Sequence, residues 1–181
     1  MNNADVLKNI DNLLIQYYRN KNGEEKLLEE KEKGSKMCAE INDEGCDNYL
    51  SYSFDKTSPS KNKPKDLFPF FTKEPNANKM CDYMLFCKKD QTLYVLIIEL
   101  KKGQESSSQQ LQAGRTFANF IISTLRRMKQ LETRRPKYRY ISLRNNSKGR
   151  KNPVRPKRLK YDKGGHTEYT GTTFPLKAFL K

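Results

Sequence analysis

The sequence predicts a mixed α/β domain, and three observations carry that prediction. MCDYMLFC at 80–87 and LYVLIIELK at 93–101 have strand composition and are separated only by KKDQ at 88–91, so they pair as a hairpin. A helical pattern follows, and after it KYRYISL at 137–143 alternates polar and apolar side chains as a third strand does. The second strand is apolar on both faces from Leu93 to Ile98, which places it centrally, in a sheet flanked by helices. With 181 residues the chain has the length of one domain, 1–181, rather than two.

The remaining elements follow in order. Val6, Ile10, Leu13, Leu14 and Tyr17 recur at helical spacing from a start near Asn3. Asn22-Gly23 breaks that helix, and EEKLLEEKEK reads as a second, more polar helical piece ended by Gly34. Residues 35–78 are poorly patterned: NYLSYSF at 48–54 reads as a strand, and a Ser-, Pro- and Lys-rich insert at about 55–78 reads as loop. Pro69 keeps LFPFF, within that insert, out of a central strand. Beyond the hairpin, Ser106, Ser107 and Ser108 offer an N-cap to a helix reaching about Glu132. Its stripe of Leu111, Gly114, Ala118, Ile121, Leu125 and Met128 faces the sheet, and Phe117 and Phe120 are expected to be buried. Residues 145–165 read as basic loop, and HTEYTGTT at 166–173 as a final strand.

Composition narrows the function classes. No apolar run approaches the roughly 18 residues of a membrane span, and MNNADVLKNIDN lacks the apolar stretch of a secretory signal, so a soluble, cytoplasmic protein without membrane partners is expected. Cys38, Cys46, Cys81 and Cys87 contain no CxxC and read as reduced thiols. His166 is the only histidine, which removes chemistry built on a histidine pair and leaves carboxylates, lysine and metal.

Charge is more informative. Residues 126–163 hold 16 lysines and arginines against Glu132 and Asp162, a net +14 out of +15 for the whole chain. Clustering of that kind repels itself unless a polyanion relieves it, so this basic segment is expected to bind nucleic acid. Its binding candidates are Arg126, Arg127, Arg134, Arg135, Lys148, Arg150, Lys151, Arg155, Lys157, Arg158 and Lys160. They follow no regular spacing, as suits contact with phosphates rather than base reading. Tyr138, Tyr140, Tyr161 and Tyr169 lie among these cations, with core packing the expected role of Tyr138 and Tyr140.

One constellation carries chemistry. Glu99 and Lys101 end the most apolar strand and share a face, since side chains alternate, while Leu100 points the other way. The hairpin brings Asp82, near the start of the first strand, opposite them. Two carboxylates and a lysine in one place are suited to holding Mg²⁺ or Mn²⁺ and to placing a water against a phosphodiester.

Asp82, sixteen intervening residues, then Glu99-Leu100-Lys101 closing an apolar strand ahead of an amphipathic helix resembles the PD-(D/E)xK nuclease superfamily over roughly residues 79–145. The residue before Asp82 is Cys81, where that family's motif has proline. The resemblance implies a restriction-endonuclease-like α-βββ-α-β core and metal-dependent hydrolysis of phosphodiester bonds, DNA favoured over RNA, in restriction, repair or defence. It implies Asp82, Glu99, Lys101 and Gln109 as catalytic positions and Asp82, Glu99 and Leu100 as the metal positions. A first-helix acid falls on Glu29 or Glu30, and Gln112 competes with Gln109 for the helix glutamine. Cutting both strands would involve a homodimer or a protein partner. The alternative is a non-catalytic nucleic-acid-binding module of the same fold within a larger complex.

Overall fold

Strand β5 (Thr92–Lys101) organises the molecule because both its faces are apolar and both are covered. Hydrogen bonds to two neighbours and burial of both faces leave no room for polar side chains until Glu99. The computed structural model describes residues 6–20, 27–29, 37–44, 46, 48–54, 77, 79–101, 106–131, 135–144 and 159–181. In chain order these form α1 (Val6–Leu13), a 3-10 turn (Gln16–Tyr18), β1 (Leu27–Glu29), β2 (Cys38–Asn42), β3 (Tyr49–Ser53), β4 (Tyr83–Lys89) and β5. There follow α2 (Ser108–Arg127), β6 (Lys137–Arg144), β7 (His166–Thr170), β8 (Thr173–Pro175) and α3 (Leu176–Phe179).

The main sheet runs β3-β4-β5-β6-β7, antiparallel on the hairpin side and parallel across β5-β6-β7. Parallel neighbours need a crossover, and α2 supplies the one between β5 and β6. Alternation along β5 divides the core: Leu93, Val95 and Ile97 pack under α1 and α2, whereas Tyr94, Leu96, Ile98 and Leu100 face the opposite layer. That layer is a second sheet, β1-β2-β8, with α3; it contributes Ala39, Ile41, Phe174, Leu176 and Phe179. The molecule is therefore a mixed α/β protein with a five-stranded mixed sheet.

Several expectations are corrected. Leu27–Glu29, expected to be helical, is a strand paired with β2, so tertiary pairing overrides helix propensity; the rest of that piece lies outside the described residues, as does the insert at 55–76. Strand β2 lies in the stretch read as unpatterned, its two-residue alternation of Ala39 and Ile41 too short to register. The first hairpin strand begins at Tyr83 and runs through Lys88 and Lys89, tightening the turn to Asp90 and Gln91 with Asp90 at φ +53°. The final strand splits, β7 joining the main sheet and β8 the small one.

Helix α2 stops at Arg127, short of Glu132. Lys129 adopts φ +58°, while the Gln130 and Lys129 N–H groups donate to the Leu125 and Arg126 carbonyls, a Schellman closure with lysine where glycine is usual. Met128 thus leaves the stripe and is 45% exposed. Phe120, expected to be buried, is 67% exposed because it lies on the side of α2 away from the buried positions. Phe117 packs edge-on against Phe54 at 5.2 Å.

Gly114 sets how closely α2 meets the sheet. A β-carbon there would lie 2.5 Å from Ile97 Cγ2 and 2.7 Å from Cys81 Sγ, both on buried side chains without room to retreat. Gly114→Ala gains helix propensity of about 1 kcal/mol but overpacks this contact, so a net loss of about 1–2 kcal/mol is expected in urea unfolding. A variant as stable as the parent would show that the helix can lift without penalty.

Candidate functional site

Antiparallel register places Asp82 across from Glu99, since Tyr83 pairs with Ile98. The two residues clasp each other: the Asp82 N–H donates to Glu99 Oε2 (3.3 Å), and the Leu100 N–H donates to Asp82 Oδ2 (2.6 Å). Lys101 Nζ lies 3.0 Å from Glu99 Oε1, with both side chains largely withdrawn from water, at 12% and 5% exposure. Asp82, Glu99 and Lys101 thus form one cluster at the end of β5, continuing the row of Val95 and Ile97 on the α2 face. The nearby Cys81 thiol is pushed well up, by burial first and then by the Glu99 and Asp82 charges, so it stays protonated. Leu100 is buried on the opposite face, leaving only its main chain for any metal contact.

The donor set is made of hard oxygens. Among the described residues no group of three or more His, Cys, Asp or Glu side chains could hold a metal ion. Magnesium asks for less: one or two carboxylates, its remaining positions filled by water and phosphate oxygens. Asp82 and Glu99 fit that demand in kind and number, and they do not fit a caged or thiophilic metal.

The other expected residues are dispersed. Gln109 is exposed, and its side-chain carbonyl accepts from Lys79 Nζ (3.1 Å) on the approach to β4. Glu29 lies in β1, not on a helix, and Glu30 lies outside the described residues. Arg126 and Arg127 are exposed in the last turn of α2 and Arg135 soon after it. That end is about 30 Å along the helix from Ser107, at a rise of about 1.5 Å over 20 residues. Lys160 is exposed before β7, while Arg134, Lys148, Arg150, Lys151, Arg155, Lys157 and Arg158 lie outside the described residues. Among the described residues several cations of the segment are used internally: Arg139 lies over the Tyr161 ring at 4.7 Å and donates to the Lys181 carbonyl, Lys137 lies over the Tyr94 ring at 5.5 Å, and Arg144 pairs with Glu168 at 3.0 Å.

A second feature adjoins the cluster. In register, Glu99 neighbours Ser142, which neighbours Glu168, and Lys101 neighbours Arg144. Ser142 Oγ is hydrogen-bonded to Ser107 Oγ at the start of α2 and to His166 Nε2 (2.8 Å), so one polar chain ties α2, β6 and β7 together. Above it opens a cleft of about 590 Å³ between the flank of α2 bearing Gln112, Arg115 and Asn119 and the strand residues Tyr140, Arg144 and His166. Tyr138 and Tyr140 do pack against the core as expected, and Tyr140 also lines this cleft. Ser107, Ser142, Arg115, Arg144 and His166 are residues of this feature that the sequence does not single out as a site. For the strand residues among them the signal is period-two alternation, which puts Tyr140, Ser142 and Arg144 on one face and His166 with Glu168 on another strand's face; Ser107 and Arg115, on α2, carry no such signal.

Asp162 closes the turn before β7, its Oδ1 accepting from the His166 and Gly164 N–H groups (2.9 and 2.8 Å). The His166 N–H is the main cause holding its carboxyl below the ordinary 3.8, with Gly164 and the nearby imidazole adding to it against a smaller opposing effect of desolvation. A depressed folded value stabilises above the unfolded one and fails as pH falls through the folded one. Protection of the Gly164 and His166 amides, relative to their intrinsic exchange at each pH, should therefore persist at about pH 5 and be lost only below the ordinary carboxylate range. Loss of that protection already at about pH 5 would contradict this role.

For the buried pair, Lys101→Met should cost about 3 kcal/mol by leaving Glu99 uncompensated, and adding Glu99→Gln should recover much of that loss in a double-mutant cycle. Additive losses would mean that the two side chains act independently.

Among the described residues no helix is long and apolar enough to cross a membrane. No family model, curated protein or solved structure matches the chain.

Proposed function

We propose that the protein is a metal-dependent nuclease with a restriction-endonuclease-like core of the PD-(D/E)xK kind, hydrolysing phosphodiester bonds in nucleic acid, DNA foremost. The observation that carries this reading is the burial of Glu99, 4% exposed, at the end of an apolar strand in contact with Lys101 and clasped to Asp82. A strand that merely ended in solvent would expose these groups. Burying a carboxylate and an ammonium costs several kcal/mol before their attraction repays it, so a cluster retained here points to chemistry.

Asp82 and Glu99 are the residues that would hold Mg²⁺ or Mn²⁺, which when bound polarises a phosphodiester and acidifies water. Lys101 contributes a fixed positive charge near the developing charge on phosphate oxygens. The excess of basic residues recruits the polyanion. The second reading, a binding module that does not cut, is favoured by one observation: Lys101 and main-chain N–H groups already engage both carboxylates.

Cleavage of labelled single- and double-stranded DNA and RNA, with Mg²⁺, Mn²⁺ or EDTA, separates the two. Cutting should require metal and fall at least about 100-fold in Asp82→Asn and Glu99→Gln, with binding retained. Asp82→Asn keeps an acceptor for the Leu100 N–H and so preserves the clasp. Binding without metal-dependent cutting on any substrate would leave the module reading standing and remove the nuclease.

A further inference from the structure

The cleft beside the carboxylates is not needed to hold a metal, and its chemistry has a direction of its own. Its ionised groups are mostly balanced internally: Arg144 pairs with Glu168, and Asp162 accepts main-chain N–H groups. Arg115 is the exception. It forms no ion pair with a described residue, is exposed, and holds its guanidinium 5.8 Å from the centre of the Tyr140 ring. That ring is partly buried and lies parallel to Tyr138, with 5° between their planes and 6.5 Å between ring centres, so the two rings present one flat aromatic surface. Gln112 and Asn119 lie one helical turn to either side of Arg115 and line the same cleft with donor and acceptor atoms.

We propose that this cleft seats one unpaired nucleotide of a single-stranded nucleic acid. Its base stacks on the Arg115–Tyr140 platform with its polar edge towards Gln112 and Asn119, and Arg115 supplies the charge that draws its phosphate. A volume of about 590 Å³ suits a small-ligand site and is far too small for a duplex. Stacking on an aromatic or guanidinium plane and hydrogen bonding to an exposed base edge is how unpaired bases are held. The location gives the site a purpose, which rests on the nuclease reading: Ser142 and Arg144 are the register neighbours of Glu99 and Lys101, at a strand spacing of about 4.8 Å. A nucleotide in the cleft therefore lies beside the one whose phosphate meets the carboxylates, and the substrate is single-stranded or locally opened.

Fluorescence anisotropy in EDTA, with the full chain and short labelled single-stranded DNA, single-stranded RNA and blunt duplex, tests this apart from cutting. Single strands should bind at least about ten-fold more tightly than duplex, the DNA-to-RNA ratio reporting the preferred sugar. Arg115→Ala should weaken single-strand binding about ten-fold and duplex binding less than about two-fold. Gln112→Ala, also at an exposed position and without change of charge, should weaken it about three-fold. Equal affinity for duplex, an equal loss on both substrates in Arg115→Ala, or no single-strand binding would overturn the proposal. Preferential single-strand binding by a protein that never cuts would sink the nuclease and keep the cleft; metal-dependent cutting indifferent to strand state would do the reverse.

Discussion

The close seating of α2 on the hairpin strands is the constraint from which the rest of this face follows. With hydrogen as its side chain, Gly114 lets the helix backbone approach Ile97 and Cys81 to distances that a β-carbon forbids. The residues on either side, Leu111, Ala118, Ile121, Ile122 and Leu125, can then bury fully against Val95 and Ile97. Because α2 runs back over the parallel strands, this seating brings Ser107 over Ser142, and their hydroxyls meet. The helix flank bearing Gln112, Arg115 and Asn119 is left overhanging β6 and β7, and the cleft is the space beneath it.

The same packing decides the electrostatics. Val95, Ile97, Glu99 and Lys101 occupy successive positions on one face of β5, so the apolar row that α2 covers leads directly into a carboxylate and an ammonium. Low dielectric strengthens their mutual attraction and penalises either one alone, which is why Lys101 lies on Glu99 and does not extend into water. The nearby Cys81 thiol feels both carboxylates and stays protonated, so its sulfur is a packing group and not a nucleophile.

How far these features were legible depends on the range of the contacts that make them. Strand β5, the hairpin and α2 were readable because their signals are local: a two-sided apolar run, a short polar turn and a stripe at helical spacing. Asp82 opposite Glu99 was readable for the same reason, hairpin register being set by turn length. Strand β1 was misread because LLE takes its conformation from β2, and the split between β7 and β8 depends on which sheet each can reach. Phe120 is exposed although it belongs to α2, because it falls outside the stripe that faces the sheet. The cleft could not be read at all: Ser142 and His166 share a face only through parallel pairing of β6 with β7, and Ser107 joins them from a third element.

That dependence also redirects the argument from charge. A net +14 over residues 126–163 spoke for a polyanion, yet its described members are divided: Arg126, Arg127 and Arg135 lie towards the far end of α2, while Arg139 and Arg144 are spent on internal partners. Charge density of this sort governs attraction at a distance and says little about where a chain is held. Position is fixed instead by few, directional groups, and the proposed ones lie along β5 and β6 and at the start of β7. There the Glu99–Lys101 pair on β5 lies beside β6, which carries both Ser142 of the Ser107–Ser142–His166 chain and, two residues earlier on the same face, Tyr140 beneath Arg115. A strand of nucleic acid crossing those strands would meet the carboxylates and the platform in succession, which is why the two proposals concern one surface.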